Sequence, residues 1–320
     1  MQIQYDPLLT EAVVLQEINR QQEAGDRALF CEYHVAADPL YHRRPEARNA
    51  AFQGLHEQFF NTLGFPELLR TELHEFPSIE SQASEVVVAL AAGSHEEGAD
   101  LSLEEANGNG QPAKRVGIRL MADRFLDLPA LHRYLRHELL HVVDLLDPAF
   151  GYEGEIRLAV TSPAEENIIR NRYRLLWCLS IDARLECAGG EPLAYRDSHR
   201  REFDAQYQKF SPTIRDAIFE RLWQPEPLSH SLLLQMATGS EALLRLAGDT
   251  GSTGSETPRT VLLPGSPCPL CRFPSYHFVE DHNALGALVT GIQQDFPNWR
   301  IDDGLCERCL EGYALRVGRW

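Results

Sequence analysis

The chain has 320 residues, a formal net charge of −17 and 43% hydrophobic residues. That length can bury a substantial core and fits one large domain with a small one. The acidity argues against a nucleic-acid partner, because phosphate binding relies on clustered Lys and Arg, and no apolar run approaches the roughly twenty residues that span a bilayer.

The N-terminus, Met1-Gln2-Ile3-Gln4-Tyr5-Asp6, has neither the basic nor the apolar segment of a secretory signal, so a cytoplasmic protein with no membrane partner is expected. The first eighty residues read as mainly helical, punctuated at Asp38-Pro39, Gly64-Phe65-Pro66 and Phe76-Pro77. The β-branched run in residues 85–90 predicts a buried strand. Residues 93–112, rich in Gly, Glu, Asn and Asp, predict a solvated acidic loop, able to cover a neighbouring cleft. The alternation over 116–121 predicts a second strand. Asp127-Leu128-Pro129 then starts a helix that runs from Leu131 to Leu146 and is stopped by Pro148. Further helices are expected over 168–187, around 202–224 and over 228–247, and residues 248–258 have linker composition.

The helix ending at Leu146 carries His137-Glu138-Leu139-Leu140-His141, the HExxH spacing. Positions i and i+4 share a helical face, so two imidazoles converge on one metal ion, and Glu138 is placed to take a proton from water there. The pattern also arises by chance, so its surroundings matter. Leu131, Leu135, Leu139, Val142, Val143 and Leu146 form one apolar stripe, with His137, His141 and Asp144 on the other side. Asp144 is placed to orient a ligand imidazole. A catalytic zinc needs a third protein ligand. Asp147 sits where the metzincin spacing puts its last ligand, but Asp144 stands where that spacing needs Gly. The 168–187 helix offers Asp182 and Glu186 on one stripe with Leu175 and Leu179, and inward carboxylates there need charged or metallic partners, a salt bridge to Arg172 or Arg184 being the ordinary one.

Of the seven cysteines, Cys31, Cys178 and Cys187 are scattered, whereas Cys268-Pro269-Leu270-Cys271 and Cys306-Glu307-Arg308-Cys309 form two CxxC pairs. Two such knuckles complete a tetrahedral zinc site of four thiolates, so a structural zinc ribbon in a reducing compartment is expected, with a helix at 282–295 in its long insert. From Leu263 onward there are five Arg, no Lys and seven acidic residues, which disfavours nucleic-acid binding by this module.

Residues 137–147 resemble the HEFAHxLD segment of the Mlc titration factor A family of gluzincin-like bacterial peptidases, with Leu139-Leu140 in place of Phe-Ala. The resemblance covers about a dozen residues. It implies a zincin fold in which a strand edge binds peptide above the active helix. Gluzincin-type enzymes take a ligand Glu from a later helix, often with a second carboxylate four residues on. That register makes Asp182 the ligand and Glu186 its support, while reach and residue type favour Glu186. SprT-like peptidases also join HExxH to a C-terminal ribbon, but with a third His and a basic surface that this chain lacks.

The expected fold is α+β and mostly helical: a zincin-like metallopeptidase domain with a small sheet over 1–247, a flexible linker over 248–262 and a zinc ribbon over 263–320. The expected function is zinc-dependent hydrolysis of a peptide or protein substrate, with one catalytic and one structural zinc and Glu138 as general base. Tyr152, Tyr173, Tyr195 and His199 are candidates to stabilise an oxyanion. The alternatives are a non-catalytic, zinc-braced interaction scaffold and a zinc hydrolase of a non-peptide amide.

Overall fold

The computed structural model describes residues 1–104, 113–154, 163–248, 261–279, 285–286, 288–316. It is mostly helical with a small four-stranded sheet, an α+β architecture. Contacts divide the chain into two compact units, Met1–Pro148 and Ala149–Trp320. Packing therefore groups the helices after Pro148 with the cysteine module, whereas composition alone suggests boundaries at 247 and 262. Most of that linker, 249–260, lies outside the described residues, as does the first part of the helix expected over 282–295.

In the first unit, β1 (Gln2–Tyr5) leads into α1 (Pro7–Glu23), α2 (Ala28–Tyr41), α3 (Pro45–Thr62), α4 (Phe65–His74) and α5 (Pro77–Gln82). Then come β2 (Glu85–Leu90), β3 (Gly98–Glu104), β4 (Ala113–Leu120), a 3-10 turn over Ala122–Leu126 and α6 (Leu128–Leu146). The sheet order is β1-β2-β4-β3, with β1, β2 and β4 parallel and β3 antiparallel to β4 at one edge. Parallel neighbours need a crossover connection, and the five helices supply it between β1 and β2. Val86, Val88, Val116, Ile118 and Leu120 are buried in the sheet, and α1 covers β2 with Leu9, Val13 and Val14 at its core positions. α6 packs on β3, α4 and α5. Asp127 caps it by accepting the Ala130 N–H, and Pro129 needs no donor partner in the first turn.

β3 corrects the expectation of a continuous loop over 93–112. Ala99, Leu101 and Leu103 alternate with Asp100, Ser102 and Glu104, the period of a strand, and the register runs from Gly98 opposite Arg119 to Glu104 opposite Ala113. Residues 105–112 lie outside the described ones.

The second unit is built on α7 (Pro163–Cys187), packed by α8 (Arg196–Gln206), α9 (Pro212–Leu222) and α10 (His230–Thr238), with α11 (Glu241–Leu246) against α9 and α10. The stretches expected as single helices over 202–224 and 228–247 are each split. Ser211 caps α9 by accepting the Ile214 N–H, and Pro212 cannot continue a preceding helix. The C-terminal part adds α12 (Val289–Asp295) and α13 (Glu307–Arg316). Among the described residues no helix is long and apolar enough to cross a membrane.

Candidate metal centre

α6 is buried on both sides. Leu131, Leu135, Leu139 and Val142 are covered on one face, and His137, His141 and Asp144 are buried on the other. The helical register brings the two Nε2 atoms to 3.2 Å from each other, with the rings at 74°. Glu138, between them in sequence, points to the sheet edge, where its Oε2 accepts the Ala99 N–H at 3.1 Å. Gly98 precedes that contact with φ +153°, and a Cβ there would sit 3.5 Å from the same oxygen. The space would admit a methyl group; the backbone conformation is what favours glycine.

The start of β3 is anchored independently. Glu97, with its side chain 2% exposed, accepts from Arg124 through Nε (3.0 Å) and Nη2 (2.8 Å), and from the Met121 N–H at 3.0 Å. Arg124 also lies over the Tyr134 ring of α6, 4.4 Å from its centre. Burial pushes the Glu97 carboxyl up, but the Arg124 and Met121 bonds outweigh it and hold the group below the usual glutamate range. A depressed carboxyl contributes stability that is present above its unfolded pKa, about 4.3, and is lost as pH falls through the folded value. Glu97→Gln is therefore expected to destabilise the protein at pH 7. The loss should sit near the low end of the about 3–5 kcal/mol for breaking a buried pair, because Arg124 keeps 29% exposure. Urea denaturation across pH checks this: the gap between wild type and variant should close in acid.

In the second unit, the 193–194 backbone and α8 meet Asp182, which is fully buried on α7. Its Oδ1 accepts the Leu193 N–H at 2.9 Å, and its Oδ2 accepts the Ala194 N–H at 3.0 Å and His199 Nε2–H at 2.7 Å. A carboxylate with these donors fixes the His199 ring, leaving Nδ1 buried with no hydrogen-bond partner. Glu186 is exposed, and its Oε2 accepts the Trp223 indole N–H at 2.8 Å. Cys178, one turn before Asp182, is a half-buried thiol. Of the groups considered for an oxyanion, Tyr173 bonds His230 at 2.8 Å, Tyr152 packs edge-on to the same ring, and Tyr195 is 63% exposed.

The four C-terminal cysteines converge. Cys268, Cys271, Cys306 and Cys309 have sulfurs within 4.8 Å of one another, with Cys268–Cys309 and Cys271–Cys306 at 3.9 Å. A tetrahedral zinc with bonds of about 2.3 Å separates its sulfurs by roughly 3.8 Å, so the donor set fits a metal ion. The first pair sits on a tight turn closed by Arg272 N–H to Cys268 O, and the second opens α13. Arg272 takes φ +63° there, a left-handed conformation that costs a non-glycine residue about 1–2 kcal/mol. Burial raises the Cys268 thiol, but N–H groups of Cys271, Cys306 and Leu270 directed at its sulfur outweigh that and lower it; burial raises Cys306 and Cys309. A small core of Leu270, Phe278, Leu285, Leu288, Ile292 and Trp299 surrounds the cluster.

Sequence reasoning did not see the Asp182–His199 pairing, because seventeen residues and a chain reversal separate them. Nor did it see that Glu138 meets the β3 backbone. Compared with models of protein families, with curated proteins and with solved structures, the chain matches none.

Proposed function

We propose that the protein is a zinc-dependent hydrolase of peptide bonds, working at His137, Glu138 and His141. The observation that supports this best is the pair of buried Nε2 atoms 3.2 Å apart, beside a carboxylate that touches an edge strand. A tetrahedral zinc with bonds of about 2.0–2.1 Å separates its nitrogens by roughly 3.3 Å, so the imidazoles fit. A zinc held by His137 and His141 would supply Lewis acidity. Glu138 then receives the proton of the attacking water and delivers it to the leaving amine.

The β3 edge serves to align a peptide. In an antiparallel ladder alternate residues turn both backbone groups away from the partner strand. Ala99 bonds Glu138 on that outward side, so Leu101 and Leu103 share its parity. A peptide carbonyl that takes the Ala99 N–H would release Oε2 of Glu138 for water. The candidates for the third ligand are those the sequence offers, Asp182 and Glu186.

His137→Ala or His141→Ala is expected to remove one metal equivalent and peptide hydrolysis together, since the remaining ligands hold zinc poorly. Metal analysis after gel filtration measures it, and unchanged zinc in both variants would overturn the proposal. Parallel Asp182→Asn and Glu186→Gln variants test the two sequence candidates for the third ligand. A non-catalytic, zinc-braced scaffold is the second reading. What favours it is the use of Glu138 as a hydrogen-bond acceptor for the β3 backbone, a structural role for the residue proposed as base.

A further inference from the structure

Away from the HExxH pair, the end of α4 faces the first turns of α6. Glu72 and Glu75 lie at the C-terminus of α4, and His132 projects from α6 beside them. Each offers a ligand atom within 4.8 Å of the other two. His132 Nδ1 is 2.6 Å from Glu72 Oε1, and Glu75 Oε2 is 3.0 Å from Arg136 Nε. Salt bridging alone could explain an exposed cluster of this kind. Glu72 is different: its side chain is only 9% exposed, and its second oxygen, Oε2, is buried with no hydrogen-bond partner. An oxygen of a buried carboxylate left unbonded is costly, and a cation is one partner that satisfies it.

We propose that Glu72, Glu75 and His132 form a further site for a divalent transition-metal ion, separate from the HExxH pair and the cysteine cluster. Two carboxylates and one imidazole are a borderline-hard donor set suited to Zn2+, Co2+ or Mn2+. The C-terminal end of α4 adds the negative pole of its helix, which favours a cation there. With neutral His132, the two carboxylates and Arg136 sum to one negative charge, so a divalent ion is electrostatically acceptable. The ion takes the place of the direct contact between Glu72 Oε1 and His132 Nδ1, whose 2.6 Å separation is shorter than the roughly 3 Å between neighbouring ligands of one metal. His132 and Glu75 are 41% and 39% exposed in their side chains, so the ion enters from solvent and keeps water in its remaining positions. Bound there, it ties α4 to the helix that carries His137 and His141.

The test uses the full chain with zinc in its cysteine cluster and His137→Ala/His141→Ala in the background, so that failure of the peptidase proposal leaves this result readable. Co2+ is titrated by calorimetry and by its visible absorption. One further equivalent is expected. Glu72→Gln and His132→Ala should each weaken it by more than the roughly 10–100-fold that follows loss of a mere supporting partner. His132→Ala changes a half-exposed side chain, and its circular dichroism shows whether it is folded. Co2+ binding unchanged in either folded variant, or no further equivalent in the background protein, would overturn the proposal and leave an ion-pair cluster only.

Discussion

Glu138→Gln is expected to lower peptide hydrolysis by about 10²–10⁴, the usual contribution of a positioned base, with bound metal and thermal stability kept. The substitution is close to isosteric, and the amide oxygen of Gln can still accept the Ala99 N–H that Oε2 now accepts. The β3 edge therefore stays where it is. What Gln cannot do at neutral pH is hold a proton and pass it on. Both imidazoles are untouched, so metal content measured alongside kcat separates lost chemistry from a lost site. Full activity in the variant would show that Glu138 is not the base. A wild type that binds metal through His137 and His141 yet cleaves no peptide library would favour the scaffold reading.

The parts of the fold that were legible are those set by local physics. β2 was readable because Val86-Val87-Val88 gives a β-branched run, and α6 because an Asp cap and a Pro precede a stripe of 3.6 periodicity. β3 was hidden because an edge strand beside an acidic segment needs no continuous apolar run, only the alternation of Ala99, Leu101 and Leu103. The break at Ser211-Pro212 was signalled by a cap residue followed by proline, and was outweighed by the apolar pattern on either side. At the candidate site the HExxH spacing is itself a local pattern. The contacts around it are not: Glu138 reaches a backbone N–H 39 residues away, and Glu72 reaches His132 across 60. Such pairings depend on how helices dock, and one sequence holds no record of that. The inward position of Asp182 was readable from its stripe; that its oxygens receive Leu193, Ala194 and His199 was not.

Cys268→Ser should have the largest structural effect, confined to the C-terminal module. Cys268 is fully buried, 3.9 Å from Cys309 Sγ, and its sulfur accepts the Cys306 N–H at 3.3 Å, so it joins the two pairs. A segment of this size has a marginal core of its own, which a crosslink or metal strengthens. Structural zinc contributes about 10–16 kcal/mol of apparent binding free energy in small zinc-finger peptides, and there that energy is folding energy. The strained Arg272 backbone adds to what a metal bound there would have to hold. The variant is expected to lose one zinc equivalent. Trp299, whose indole N–H now bonds Gly304 O at 3.0 Å, should become solvent-exposed, and proteolysis should begin within 261–316. Among the described residues, the module meets α7 in the first half of that helix. Fully buried Arg172 donates to Pro264 O at 2.6 Å, and Gly265 sits against Ile168. Arg172 and Cys178 are six residues apart, about 9 Å along the helix, so the half of α7 that carries Cys178, Asp182 and Glu186 should keep its α8 and α9 contacts. Zinc at His137 and His141, proposed as a separate site, is expected to remain. Metal analysis with tryptophan fluorescence reads both outcomes in one sample: loss of one equivalent marks an independent module, and loss of both would mean that the cysteine cluster and the HExxH helix fold as a single cooperative unit.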